Sequence, residues 1–192
     1  MNATTPWRRL PPDAPAADPT PVPAEAVVAL HVPPNKGVPN HPRWPALMYP
    51  AALAGEPDID RIKALFERNR WFRVWHWTVF DCHHFHPSAA EVLVVADGRA
   101  SIRLGGPDGR THLVRAGDAM VLPPGFGHCL KAASEDFVVV GAYPEGQERR
   151  EVVPAGIAAM EAAFPVIARV PRPVTDPLFG PCGPLFDHWA GP

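Results

Sequence analysis

The chain has 192 residues, 46% hydrophobic and 20% charged, enough for one domain with a sizeable core and short for two. Eighteen Lys and Arg against twenty Asp and Glu give a net charge of −2, with the bases scattered in ones and twos, which argues against a nucleic-acid or anionic-membrane surface. The 27 Pro and 15 Gly forbid long helices, and three cysteines without a C-x-x-C pair exclude a disulfide scaffold and a zinc ribbon.

Residues 1–24 carry seven prolines among Ala, Asp and Thr and read as a disordered, partly polyproline tail, with one domain over 25–192. No apolar signal core follows Arg8 and Arg9, and no apolar run approaches a bilayer span, so a soluble protein of the reducing cytoplasm is expected. Order is expected from 27–32, followed by a turn over 33–40 and a short extended piece at 45–49. Residues 58–69 form the clear helix, with Asp58 ahead of a stripe of Ile59, Ile62, Leu65 and Phe66 and with Asn69 at its end. From 71 to 143 the pattern changes to strands of five to nine residues between turn signals such as Asp97-Gly98, Gly117-Asp118 and Pro124-Gly125, the signature of an all-β sandwich or barrel. A second helix is predicted over 155–164, and the last thirty residues form an extended arm. The apolar arms at 27–49 and 165–189 are too Pro-rich to build their own core, and covering a neighbour's sheet edge would make a homodimer.

The chemistry concentrates in His83-His-Phe-His86 and Glu91. On a strand, His84 and His86 share a face about 6–7 Å apart while His83 and Phe85 point the other way. A turn-rich run from Gly117 to Gly127 delivers His128 at the start of another strand. Three imidazoles and a carboxylate suit one divalent transition ion, Mn, Fe, Ni or Zn, and leave positions open for a small-molecule ligand. Left unliganded in an apolar barrel they would be costly to bury. Their affinity for metal should fall as pH drops through the ordinary histidine range near ~6.5. The same alternation turns His76, Thr78 and Phe80 inward if their strand carries no bulge, and gives Cys82 the parity of His84 and His86. Phe126 is a further candidate wall of a substrate pocket.

His84-x-His86-x4-Glu91-x6-Gly98 and Gly117-x5-Pro123-x-Gly125-x2-His128 resemble the two motifs of the cupin superfamily. The resemblance implies an RmlC-like double-stranded β-helix, a jelly-roll barrel at about 71–143 with one or two flanking helices, and His84, His86, Glu91 and His128 as metal ligands. Thr78 stands where the first motif usually has Gly, and Ala132 where the second usually ends in Asn. Within the superfamily the chain is similar to the YjlB-like cupins, through Pro39-Asn-His-Pro-Arg-Trp-Pro45, the 134–147 segment ending in Gln147, and Thr175-Asp-Pro-Leu-Phe-Gly180 with Gly183-Pro-Leu185. It departs from them at Ala90, Cys82 and His76-Trp-Thr78. A metalloenzyme acting on a small oxygenated molecule follows, leaning to dioxygenase-type oxidoreductase. The alternatives are a Lewis-acid isomerase or decarboxylase and a non-catalytic metal-containing binding or sensor protein.

Overall fold

The computed structural model describes residues 26–53, 57–147 and 151–189; the Pro-rich tail lies outside them. The chain runs through β1 (Val28–Leu30), β2 (Ala46–Tyr49), α1 (Ile59–Arg68), β3 (Trp71–Trp77), β4 (His84–Phe85), β5 (Glu91–Asp97), β6 (Arg99–Leu104), β7 (Arg110–Arg115), β8 (Ala119–Leu122), β9 (His128–Ala133), β10 (Val138–Pro144), β11 (Val153–Pro154), α2 (Ile157–Ile167) and α3 (Leu185–His188). Two antiparallel sheets face each other, one ordered β1-β2-β8-β5-β10-β3 and the other β11-β4-β9-β6-β7. This is the expected all-β jelly roll.

Leu93, Val95, Ile102, Leu104, Met120, Leu122 and Val139 fill the space between the sheets. The opposite face of the six-stranded sheet is also covered, where Val92, Val94, Val121 and Val140 pack under Ile62, Leu65 and Phe66 of α1 and Leu178, Leu185 and Trp189 of the C-terminal arm. Hence β5 is buried from Glu91 through Ala96 and reads as a continuous apolar run, whereas β6, covered on one face, alternates. Glu91 belongs to the odd-numbered set that enters the barrel.

Helix α1 begins where expected because the Asp58 carboxylate accepts the backbone N–H of Asp60 and Arg61 at 3.0 and 3.1 Å, a cap worth about 1 kcal/mol. Asn69 closes it and ties it to the arm, its Nδ2 donating to the Pro177 carbonyl at 2.8 Å. Helix α2 runs through Pro165 to Ile167, past the predicted end at Phe164. Proline is tolerated there because its face is exposed while Ala163 and Ile167 pack on Phe85.

The two arms fold onto their own chain. β1 and β2 extend the six-stranded sheet, and Trp189, fully buried, stacks on Trp44 with centroids 5.2 Å apart and donates Nε1–H to the Pro45 carbonyl at 2.8 Å. Much of the arms' apolar surface is thus covered within the chain, while Val28, Val166 and Val174 stay exposed. The C-terminal arm turns on Asp176, whose carboxylate accepts the N–H of Leu178, Phe179 and Leu185 and the hydroxyl of Tyr49, all between 2.9 and 3.1 Å. A Cβ at Gly183 would lie 2.3 Å from the Asp176 side chain, so glycine is required for the arm to pass that close. The Thr175–Gly180 and Gly183–Leu185 marks are thus structural.

Two predictions follow from these contacts. Asp176→Ala leaves three amides and a hydroxyl unpaired in a fully buried site and is expected to lower the unfolding free energy by about 3–4 kcal/mol, read as a shift of the urea midpoint. An unchanged midpoint would contradict the role given to Asp176. The second concerns His41, whose ring stacks on Trp44 at 4.4 Å and whose Nδ1 accepts the N–H of Trp44 at 2.8 Å and of Arg43 at 3.2 Å. Burial, with Arg43 adding to it, pushes its pKa down to about 4. The unfolded imidazole takes up its proton near 6.5 and the folded one resists until about 4, so this residue's contribution is present above 6.5 and is lost as pH falls toward 4, on the order of 2–3 kcal/mol. His41→Asn should flatten the pH dependence of stability in that window relative to wild type; parallel curves would refute the assignment.

Candidate metal centre

Three histidines are brought together from two segments. The pairing of β4 with β9 sets His84 opposite His128, with ring centroids 4.1 Å apart, and His86 follows β4 with its centroid 5.8 Å from each of the other two. All three are buried, and their ring nitrogens lie within 4.8 Å of one another, an arrangement that could hold a metal ion. Each Nδ1 is directed at a backbone carbonyl, that of Cys82 at 3.0 Å for His84, Glu151 at 2.9 Å for His86 and Phe126 at 3.4 Å for His128. A carbonyl only accepts, so Nδ1 carries the proton and the neutral ring presents its Nε2 lone pair to the centre.

Glu91, the first residue of β5, supplies a carboxylate. Its Oε1 accepts the Tyr143 hydroxyl at 2.8 Å, which turns Oε2 toward His86 Nε2 at 3.2 Å and His128 Nε2 at 3.4 Å. Ligands bound to one ion at ~2.0–2.2 Å, with angles near 90–110°, stand about 3.0–3.5 Å apart. Oε2 is buried without a hydrogen-bond partner. Aimed at two imidazole nitrogens, this oxygen fits a shared cation.

The electrostatics set the protonation states that metal binding requires. Burial favours the neutral Glu91 acid, but positive charge on the facing His86 and His128, a hydrogen bond from His86 and the Tyr143 hydroxyl outweigh it and bring the pKa down to about 2; with the rings neutral, a bound cation would take over that role. Burial likewise holds His84 below the usual histidine value, against its bond to the Cys82 carbonyl, and His128 well below it. Protons therefore compete for these two rings only at pH below the ~6.5 taken from the sequence.

The loop that presents His128 is clamped at several points. Gly125 donates its N–H to the His86 carbonyl at 2.8 Å, and Gly127 donates to Asn40 Oδ1 at 3.1 Å. The amide of the buried Asn40 in turn donates to the carbonyls of Pro33 and Gly105. Gln147 clamps the other side, accepting the Ala90 N–H at 2.9 Å beside Glu91 and donating to the Pro171 carbonyl at 2.8 Å. The sequence marks at 39–45 and 134–147 hold the centre in place through these two amides.

A cavity of about 340 Å³ opens from the centre, bordered by residues 75–80, Leu93, Tyr143 and Val152 together with His84, His86, Glu91 and His128. His76 and Phe80 border it as expected, but strict alternation fails. A bulge in β3 at Arg73, with φ of 54°, sets Phe72 opposite Tyr143 and Trp75 opposite Gly141. His76 then pairs with Val140 of the outer core, and Trp75 and Trp77 pair with Gly141 and Val139 on the barrel side. Cys82 is exposed and does not border the cavity, because residues 78–83 are not strand and carry no parity forward to His84. Phe126 is buried in the core between the sheets and does not border it either, its loop being turned by Gly125 at φ of 80°. Tyr143, Trp75 and Trp77 were missed in the sequence. A tyrosine in an otherwise apolar strand, needing a partner for its hydroxyl, was the available signal for the first.

The family described as Cupin matches residues 83–169. The uncharacterized protein YjlB of Bacillus subtilis (strain 168) is 34% identical over 152 residues, 79% of this chain and 90% of that protein. Among solved structures, the TDP-fucose-3,4-ketoisomerase WlaRA of Campylobacter jejuni aligns over 50% of this chain and 77% of its own at 10% identity and a TM-score of 0.40. Acireductone dioxygenase from Bacillus anthracis aligns over 46% of this chain and 60% of its own at 15% identity and a TM-score of 0.35. A structure of the DMSP lyases RdDddP and RnDddQII aligns over 43% of this chain at 15% identity and a TM-score of 0.36, and the chain spans 42% of its length. By the extent and identity of its match to YjlB, the chain belongs to the cupin superfamily and, within it, to the YjlB-like cupins.

Proposed function

We propose that this protein is a metal-dependent enzyme acting on a small molecule, with His84, His86, Glu91 and His128 holding one divalent transition ion, Mn, Fe, Ni or Zn, and with oxidoreductase chemistry of the dioxygenase type. The observation that carries the metal reading is the convergence of the buried His84, His86 and His128, whose ring nitrogens lie within 4.8 Å of one another, with Glu91 Oε2 at 3.2 and 3.4 Å from His86 and His128 Nε2. Such an ion supplies a Lewis acid and, when it is iron or manganese, a redox centre.

The protein's part is to orient and to exclude. The Cys82, Glu151 and Phe126 carbonyls fix the ring orientations, and Tyr143 fixes the carboxylate. Among the described residues, no Asp or Lys and no Glu besides Glu91 borders the cavity, and the Tyr143 hydroxyl already donates to Glu91. Besides the four candidate ligands and Tyr143, His76 is the one described lining residue of a type that passes protons, and so sparse a set favours oxidation over isomerisation or decarboxylation. A cytoplasmic setting is part of the proposal, and it suits the three free cysteines Cys82, Cys129 and Cys182.

Metal content after identical dialysis of wild type, His128→Ala and His112→Ala tests the reading. His112 lies on β7, the edge strand of the five-stranded sheet away from the centre. Wild type and His112→Ala are expected to keep about one equivalent, and His128→Ala to bind at least ~10-fold more weakly. Equal retention by wild type and His128→Ala, or loss only in His112→Ala, would reject the ligand set. Turnover without oxygen uptake by the iron-loaded protein would move the reaction to Lewis-acid chemistry.

A further inference from the structure

We infer that the cavity takes a small, flat, mostly apolar molecule bearing two adjacent oxygens and at most one negative charge, of the catechol or ene-diol kind. The inference rests on the metal reading above and adds the chemical class of the ligand.

Charge comes first. Among the described residues no Lys or Arg borders the cavity, and the His76 side chain at its rim is exposed to water. A divalent ion together with the Glu91 carboxylate leaves one net positive charge, so a singly charged ligand with two oxygens would make the buried ensemble neutral. A dianion such as oxalate would bring an excess charge into an apolar site where no side chain among the described residues supplies a further cation.

Shape and surface come second. Trp77 is 62% exposed, Phe80 42% and Val152 45%, and these three large apolar side chains gather at this one cavity. Clustered exposed apolar surface marks a binding site where scattered single residues would not. Trp77 and Phe80 meet edge to face at 5.8 Å, and Phe80 meets His84 edge to face at 5.2 Å, so aromatic surface continues from solvent to one of the ligands. Deeper in, Trp75 lies against Gly141, where a Cβ would come within 2.3 Å of its ring. The missing side chain makes room for an indole in the barrel wall. A flat guest fits this lining, and 340 Å³ limits it to about one or two rings.

The test uses 4-nitrocatechol, whose absorption reports ionisation and chelation, and oxalate as the dianionic, ring-free comparison. Each is titrated into zinc-loaded and metal-free full-length protein, following probe absorption and tryptophan fluorescence, with zinc content measured on every sample. The zinc-loaded protein is expected to bind 4-nitrocatechol at least ~10-fold more tightly than oxalate and than the metal-free protein does, and the exposed-site variant Trp77→Ala to weaken it by about 3–10-fold with zinc content unchanged. Oxalate binding as tightly as 4-nitrocatechol, or Trp77→Ala binding like wild type, would overturn the ligand class while leaving the metal reading intact. Wild type that holds no zinc would overturn the metal reading, and the ligand class with it.

Discussion

The constraint on which the rest of this molecule depends is the burial of Glu91. An ionised carboxylate inside an apolar barrel is destabilising by several kcal/mol unless its charge is met and its oxygens are bonded. One oxygen is met by the Tyr143 hydroxyl and the other faces His86 and His128, and positive charge at that oxygen holds the acid ionised despite complete burial. Burial lowers the pKa of His84 and His128, and all three rings direct Nδ1 at a backbone carbonyl. A cation is a natural counter-charge for such a set, and Glu91 Oε2 stands from His86 and His128 Nε2 at separations that one ion would impose.

Such a set works only if its elements cannot drift, since an error of an ångström in a ligand is felt directly. The amides of Asn40 and Gln147 supply this rigidity from outside the centre, one bracing the loop before His128 and the other the residue before Glu91. Both act at long range, Asn40 joining the N-terminal arm to the turn after β6 and Gln147 joining β5 to the arm after α2. Asp176 does the same for the C-terminal arm and the outer face of the six-stranded sheet. Both arms thus act as clasps on the chain's own barrel.

Much of the fold was legible because it is written locally. Asp58 and the apolar stripe behind it mark α1, and Gly98, Gly117 and Gly125 adopt the positive φ that their turn signals implied. The motif histidines and Glu91 converge because strand alternation holds around them. Alternation failed in β3, where the bulge at Arg73 comes from the register of β10, which no local pattern records. It failed again at Cys82, because the chain leaves the sheet between Trp77 and His84. The partners of Asn40, Gln147 and Asp176 lie up to 127 residues away, so their polarity was visible but their contacts were not. Helix α2 outruns the expected stop at Pro165 because packing on Phe85 overrides a local breaker.

The most direct measurement is anomalous X-ray diffraction at the zinc edge from crystals grown with zinc. One strong peak is expected at about 2.0–2.3 Å from the Nε2 atoms of His84, His86 and His128 and from Glu91 Oε2. A peak at His112 or Cys82 in its place, or no density at the four side chains in a zinc-saturated crystal, would contradict the account.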